Sequence, residues 1–203
     1  MKKVLKNTKK NKNILYTGLG DKGTTTLFDC QQGRISKSAL LIEALGSVDE
    51  LNAYLGIIKV YSSIDKVSLK LGTKNILFSQ IIEEIQQNLF VIQAELGGSK
   101  MTISKKELTV IEDIINQIGK VLPPITSFTI SGGSIISSGL DFARTLARKS
   151  ERRIISVADE GLRIISPNTI AYMNRLSSIL FALSRYTNYL FSIPENHPDY
   201  NKK

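Results

Sequence analysis

Apolar residues recur at three- and four-residue steps in five long stretches of this chain. That spacing constrains the fold more than any other feature. Leu45, Val48, Leu51, Leu55 and Ile58 set the pattern for a helix over residues 42–61, and Ile81, Ile85, Leu89 and Ile92 repeat it over residues 76–96. Ser104-Lys-Lys-Glu107 pairs the serine and glutamate of a capping box and opens a third helix running to about Lys120. Pro123 and Pro124 end it, because proline has no N–H to continue the ladder. A fourth helix is expected over residues 134–157. A fifth is expected over 169–191, after the Pro167-Asn168 punctuation and before Pro194. The connections carry short β-like pieces at 13–17 and 24–28, a polar break at 62–74 and an extended piece at 126–130. Five long helices with short connections predict an all-α, five-helix bundle, preceded by a short irregular Gly/Thr-rich segment. The expected organisation is a disordered lysine-rich tail over 1–12, a single domain over 13–193 and a C-terminal tail over 194–203.

Composition narrows the chemistry. The 203 residues suit one domain and contain one cysteine, Cys30, and one histidine, His197. That leaves no material for a disulfide framework, a multi-cysteine zinc site, a histidine-rich metal site or a Ser-His-Asp triad. No apolar run approaches the ~20 residues that span a bilayer. No secretory h-region follows the N-terminal lysines, so a cytoplasmic location is expected. The net charge is +9, to which Lys2, Lys3, Lys6, Lys9, Lys10 and Lys12 contribute six with no acid among them. A solvated extension is the expected reading of that run. A nucleic-acid reader would spread basic and aromatic residues over a face, whereas here the charge of the folded region concentrates on the fourth helix. Neither nucleic acid nor membrane is expected as a partner.

Three constellations carry possible chemistry. Tyr16-Thr-Gly-Leu-Gly-Asp-Lys-Gly-Thr-Thr-Thr26 combines glycines that admit a close ligand with threonine hydroxyls and Lys22; Lys37 follows nearby. Residues 18–23 match G-x-G-x-x-G literally, but no helix follows, so the dinucleotide reading does not apply. A tight turn between two strands is the plain alternative. On the fourth helix, Arg144, Arg148, Glu151 and Arg152 fall within about 100° of one another, beside an apolar face of Ala143, Ala147 and Ile154. Guanidinium groups crowded there call for anions, and a polyphosphate matches them bidentately. A solvated basic face is the alternative. On the fifth helix, Asn174, Ser178, Arg185 and Asn188 form a polar side opposite Leu176, Leu180, Leu183 and Leu190. Asp49 on the first helix, close to the apolar seam, calls for a cation, for which Arg144 is a candidate within the chain or across a subunit contact; an exposed acidic turn is the alternative. Phe128 precedes Gly132-Gly133 at the entrance to the fourth helix and, taken alone, reads as core.

Together these segments resemble the PduO-type corrinoid adenosyltransferases. The resemblance runs from Tyr16 to Phe191. It rests on five segments in the family's order: the Thr17–Thr26 loop with Lys37, Glu43-Ala-Leu-Gly-Ser-Val-Asp-Glu-Leu-Asn52, residues 128–133, Ala143-Arg-Thr-Leu-Ala-Arg-Lys-Ser-Glu-Arg-Arg153, and Tyr172-Met-Asn-Arg-Leu176 through Arg185. It implies an enzyme that moves the 5′-deoxyadenosyl group of ATP to the cobalt of a reduced corrinoid, leaving triphosphate. It also implies a homotrimer with active sites between subunits, possible reductase and mutase partners, and Mg²⁺. Thr17, Gly18, Leu19, Gly20, Thr25, Thr26 and Lys37 would wrap the ATP of an adjacent chain. Arg148, Lys149, Ser150, Glu151, Arg152 and Asn174 would hold its triphosphate, ribose and magnesium, with Glu151 nearest the metal. Asp49 and Arg144 would form an intersubunit ion pair, and Phe128 would fill the lower axial side of the corrin. The sequence departs from the family pattern at Gly18, Leu19, Lys149, Ser131 and Asp141, the last of which stands where His is common. The rival reading is a noncatalytic ATP-binding bundle that senses the nucleotide or delivers corrinoid.

Overall fold

The computed structural model describes residues 15–29, 33–71 and 74–200. The lysine-rich run over 1–12 and Cys30 lie outside them. Among the described residues there are five helices: α1 (Leu40–Ile64), α2 (Phe78–Leu96), α3 (Lys105–Val121), α4 (Ile135–Asp159) and α5 (Pro167–Leu190). Two antiparallel hairpins accompany them. β1 (Thr24–Thr26) pairs with β2 (Arg34–Ser36), Thr25 opposite Ile35. β3 (Ser68–Leu71) pairs with β4 (Lys74–Leu77), Leu69 opposite Ile76. The polar break expected at 62–74 is therefore part helix and part hairpin. The alternation of Val67 and Leu69 explains it, because both side chains are buried.

Packing follows from the stripes. α4 lies between α1 and α5, α2 packs on α1, and α3 packs on α5. Leu41, Ala44, Val48, Leu51, Leu55 and Ile58 form the buried face of α1, and Ile136, Leu140, Ala143, Ala147, Ile154 and Val157 that of α4. The fit between them is tight at Gly139, where a Cβ would run into the Ile58 side chain.

The helix ends show why the chain turns where it does. Ser104 and Glu107 form the expected capping box, with the Lys106 N–H donating to Ser104 Oγ at 3.2 Å and the Ser104 N–H to Glu107 Oε2 at 2.9 Å. α5 starts at Pro167, two residues before the expected start, because proline is well tolerated in a first helical turn. The buried Glu95 carboxylate on α2 serves that start. It accepts the Ser166 N–H and the Thr169 hydroxyl, both at 2.6 Å. The polar side expected for α5 is only partly a surface. Asn174 and Ser178 are exposed, but Arg185 and Asn188 are buried, and Leu190 is exposed. No helix among the described residues is long and apolar enough to cross a membrane.

Candidate active site

The Gly/Thr loop is built by left-handed turns. Gly18 and Gly23 have φ of +67° and +72°, values that L side chains rarely adopt. The Asp21 N–H donates to the Gly18 carbonyl at 3.2 Å and the Gly23 N–H to the Gly20 carbonyl at 3.0 Å. Lys37 closes the loop. Its N–H donates to the Gly23 carbonyl at 2.9 Å, and its Nζ would lie 2.8 Å from a Cβ on Gly20. Thr17, Gly18 and Leu19 are exposed beside this ammonium-bearing turn.

Arg34, which sequence reasoning passed over, organises the same loop. Its Nε donates to Thr24 Oγ1 at 2.8 Å, and its Nη2 to the carbonyls of Thr24 and Leu19 at 2.6 and 2.5 Å. The signal for it lies in strand register, since Arg34 stands opposite Thr26, two residue pairs along from Thr24 on the same face. Thr25 and Thr26 line a cleft of about 330 Å³ with Ile42, Leu45, Gly46 and Asp49 of α1 and Gln93 of α2. Asp49 Oδ1 accepts from Gln93 Nε2 at 3.4 Å.

The basic residues of α4 split into two stripes. Lys149 and Arg153 face α1, with Lys149 Nζ 2.5 Å from Glu50 Oε2 and Arg153 Nη2 2.9 Å from Glu43 Oε2. Ser150 points inward, donating to the Ser47 carbonyl at 2.8 Å, so it does not join the basic groups. Arg144 and Arg148 face the other way. They line a cleft of about 360 Å³ with Ser177, Ser178 and Phe181 of α5 and residues 125 and 127–129 of the connection before α4. The Arg144 Nε is buried with no hydrogen-bond partner, a costly state that an incoming anion or carboxylate would relieve. Phe128 stands at this cleft 79% exposed, which overturns the core reading of that residue taken alone. Below it, Glu151 Oε1 accepts from Asn174 Nδ2 at 2.9 Å. Asn174 is in turn oriented by Arg175, whose Nη1 donates to its Oδ1 at 2.8 Å and whose Nε donates to Glu112 at 3.0 Å. Arg152 is exposed on the same helix.

The connection carrying Phe128 enters α4 through Gly132 and Gly133, at φ +148° and +111°. A Cβ on Gly133 would collide with the Asn188 amide, whose Nδ2 donates to the Gly132 carbonyl at 3.0 Å. Asp141 is buried behind this turn. Burial pushes its carboxyl up from the ordinary range, while the Ser184 hydroxyl, the Arg144 charge and the Gly132 backbone pull in the opposite direction.

The structure therefore brings the expected residues together in two groups. Phe128, Arg144 and Arg148 share one cleft; Thr25, Thr26 and Asp49 share another. The two clefts have no lining residue in common. Asp49 and Arg144 form no ion pair within the chain among the described residues.

Comparison with known proteins places this arrangement. The model of the cobalamin adenosyltransferase family matches residues 15–187. The chain belongs to that family. It is 37% identical over 179 residues to the corrinoid adenosyltransferase PduO of Citrobacter freundii, covering 84% of this chain and 49% of that protein. It thus spans about half the length of the PduO relatives it matches. Against the corrinoid adenosyltransferase of Mycobacterium leprae it is 31% identical, covering 86% of this chain and 91% of the relative. A variant of the PduO-type ATP:corrinoid adenosyltransferase from Lactobacillus reuteri, solved with cobalamin and ATP, superposes with a TM-score of 0.78. It is 29% identical and covers 94% of this chain and 98% of that one. A second variant of the Lactobacillus reuteri enzyme, solved with ATP, gives 0.75 at 30% identity, covering 91% of this chain and all of that one.

Proposed function

We propose that this chain transfers the 5′-deoxyadenosyl group of ATP to the cobalt of a reduced corrinoid. The observation that carries this reading is the cleft in which an exposed Phe128 faces the guanidinium-bearing side of α4 at Arg144 and Arg148. A flat apolar macrocycle and a polyphosphate need those two chemistries side by side. The relative solved with cobalamin and ATP binds both kinds of molecule.

Cobalt(I) is itself the nucleophile, so the protein needs no general base. Its electron pair forms the bond to C5′, the C5′–O bond breaks, and triphosphate leaves with that bond's electrons. Arg148 and Arg152 stabilise the growing charge on the leaving group. Lys37 and the Thr17–Thr26 loop hold the nucleotide so that C5′ faces the metal. Phe128 fills the lower axial side of the corrin and keeps a nitrogen ligand or water from cobalt(II), which eases its reduction. Glu151 supplies one carboxylate, which suits Mg²⁺, an ion usually held by one or two carboxylates and phosphate oxygens. Bound there, Mg²⁺ would neutralise phosphate charge.

The site forms between chains of a homotrimer. The two half-sites line separate clefts, and the unpartnered Arg144 Nε and the exposed Asp49 suit an ion pair across a subunit contact. A cytoplasmic location is part of the same reading, as are a reductase that supplies cobalt(I) and a mutase that takes the product.

The test is to incubate the protein with ATP, Mg²⁺ and chemically reduced cobalamin and to follow the absorbance of the cobalt–carbon product. Arg148→Ala should raise the KM for ATP about tenfold or more, as loss of a charge-assisted phosphate contact requires. Nucleotide binding with no product under these conditions would favour the noncatalytic sensor or delivery protein.

A further inference from the structure

Phe128 can shield one face of a corrin only if its ring is held at a fixed height. Yet it stands on an irregular connection, and its side chain is exposed. The backbone must be fastened from outside that connection, and the residues after α5 do so. Ser192 adopts φ +55°, its N–H donating to the Tyr189 carbonyl at 3.1 Å and the Ile193 N–H to the Asn188 carbonyl at 2.8 Å. This Schellman turn reverses the chain, so that residues 193–197 run back beside the Phe128 connection.

Three fastenings follow in succession. Glu195 accepts Arg185 Nε at 2.5 Å and Nη2 at 3.1 Å, a two-pronged pair in which the arginine side chain is only 9% exposed. The same Nη2 reaches the Pro123 carbonyl at 3.1 Å, linking the pair to the far end of the connection. The Asn196 carbonyl accepts the Ile130 N–H at 2.8 Å. His197 Nδ1 lies 2.9 Å from the Phe128 carbonyl and 2.9 Å from Ser127 Oγ. A carbonyl can only accept, so the bond to Phe128 requires the tautomer that carries its proton on Nδ1. The backbone is thus gripped at Phe128 and at Ile130, on either side of Thr129.

We propose that residues 193–197 are a strap that sets the position of Phe128, with Glu195 and His197 as positioning residues for the cobalt(II) branch of the reaction. The inference rests on the shielding role given to Phe128 above. It assigns work to the chain's one histidine without asking it to transfer a proton. It also gives the buried Arg185 a reason beyond packing, since a buried ion pair by itself adds little net stability.

His197→Ala is the main test, because His197 is exposed and its loss leaves no buried charge unpaired. Glu195→Gln, which keeps an acceptor for Arg185, is the second. Two quantities are read. Hydrogen exchange of the Ile130 amide, which the Asn196 carbonyl protects, should quicken about tenfold in His197→Ala as the strap loosens, the effect of losing one backbone fastening. The four-coordinate fraction of enzyme-bound cobalt(II) corrinoid, seen by electron paramagnetic resonance, should fall in both variants. Turnover should fall more from cobalt(II) than from pre-reduced cobalt(I). Unchanged exchange in His197→Ala overturns the strap. Faster exchange with an unaltered cobalt(II) spectrum makes the fastening structural only and also overturns the proposal. Phe128→Ala separates the two levels of argument. If its cobalt(II) spectrum matches the unsubstituted protein, the shielding role itself fails, while the exchange data still judge the fastening.

Discussion

Asp141 is a residue whose chemistry its environment changes. Its side chain is buried between α4 and α5, where the charged form loses water, and its carboxyl is raised above the ordinary value of 3.8. A raised acid holds its proton in the folded state at pH values where the unfolded chain has already released it. Stability therefore falls as pH rises from 3.8 through the raised value, and the penalty then stays constant. Asp141→Asn removes that slope. Thermal melts across this range should show the unsubstituted protein losing Tm relative to the variant as pH rises; parallel curves would contradict the burial argument. The residue scale also shows where charge alone misleads. Lys149 and Arg148 are neighbours in sequence, yet one is paired with Glu50 on α1 and the other lines the cleft with Phe128.

At the scale of elements, the contact between α1 and α4 joins the helix that carries Asp49 to the helix that carries the arginines. Asp49 rides on α1 and the arginines on α4, and the two helices are tied by Ser150 donating to the Ser47 carbonyl and by the tight fit of Gly139 against Ile58. A side chain there must displace the buried Ile58 side chain and crowd the Tyr54 hydroxyl. Gly139→Val should destabilise the fold by about 1–3 kcal/mol, the usual cost of overpacking. A denaturation midpoint checks the effect. The element scale is also where the sequence pattern was most readable. The stripes of α1 and α2, the capping box of α3 and the proline stops all follow from spacing and local backbone chemistry. The β3–β4 hairpin was less readable, because Val67 and Leu69 look like a polar loop's stray apolar residues until a partner strand covers them.

For the whole molecule, the question is what the exposed faces meet. Ile57, Val60, Tyr61 and Ile64 form an exposed stripe on α1, and Phe142 of α4 continues toward it, its ring edge-on to Tyr54 at 4.9 Å. An apolar surface of this kind suits association with further copies of the chain. On the proposed reading, in which each complete site is drawn from two chains of a homotrimer, variants damaged in opposite halves should complement each other. Mixed trimers of Arg148→Ala and a Thr25→Ala, Thr26→Ala double variant contain some interfaces with both halves intact. Co-expression should recover a measurable fraction of activity that neither variant shows alone. No recovery in trimers verified by mass would place both halves in one chain.

The sequence by itself determined the five helices, the capping box of α3 and the proline stops, and it supplied candidates for phosphate chemistry, because periodicity, proline stops and glycine turns act over a few neighbouring residues. It also held the family resemblance, since the motif segments lie in order along the chain. Tertiary structure decided which of those residues share a cleft. Ser150 is committed to Ser47, Arg185 to Glu195, and Arg34 to the Gly/Thr loop through contacts between parts of the chain whose meeting no local pattern encodes. The direction of a side chain on a helix depends on which neighbour packs beside it, and that neighbour is chosen only when the whole core closes.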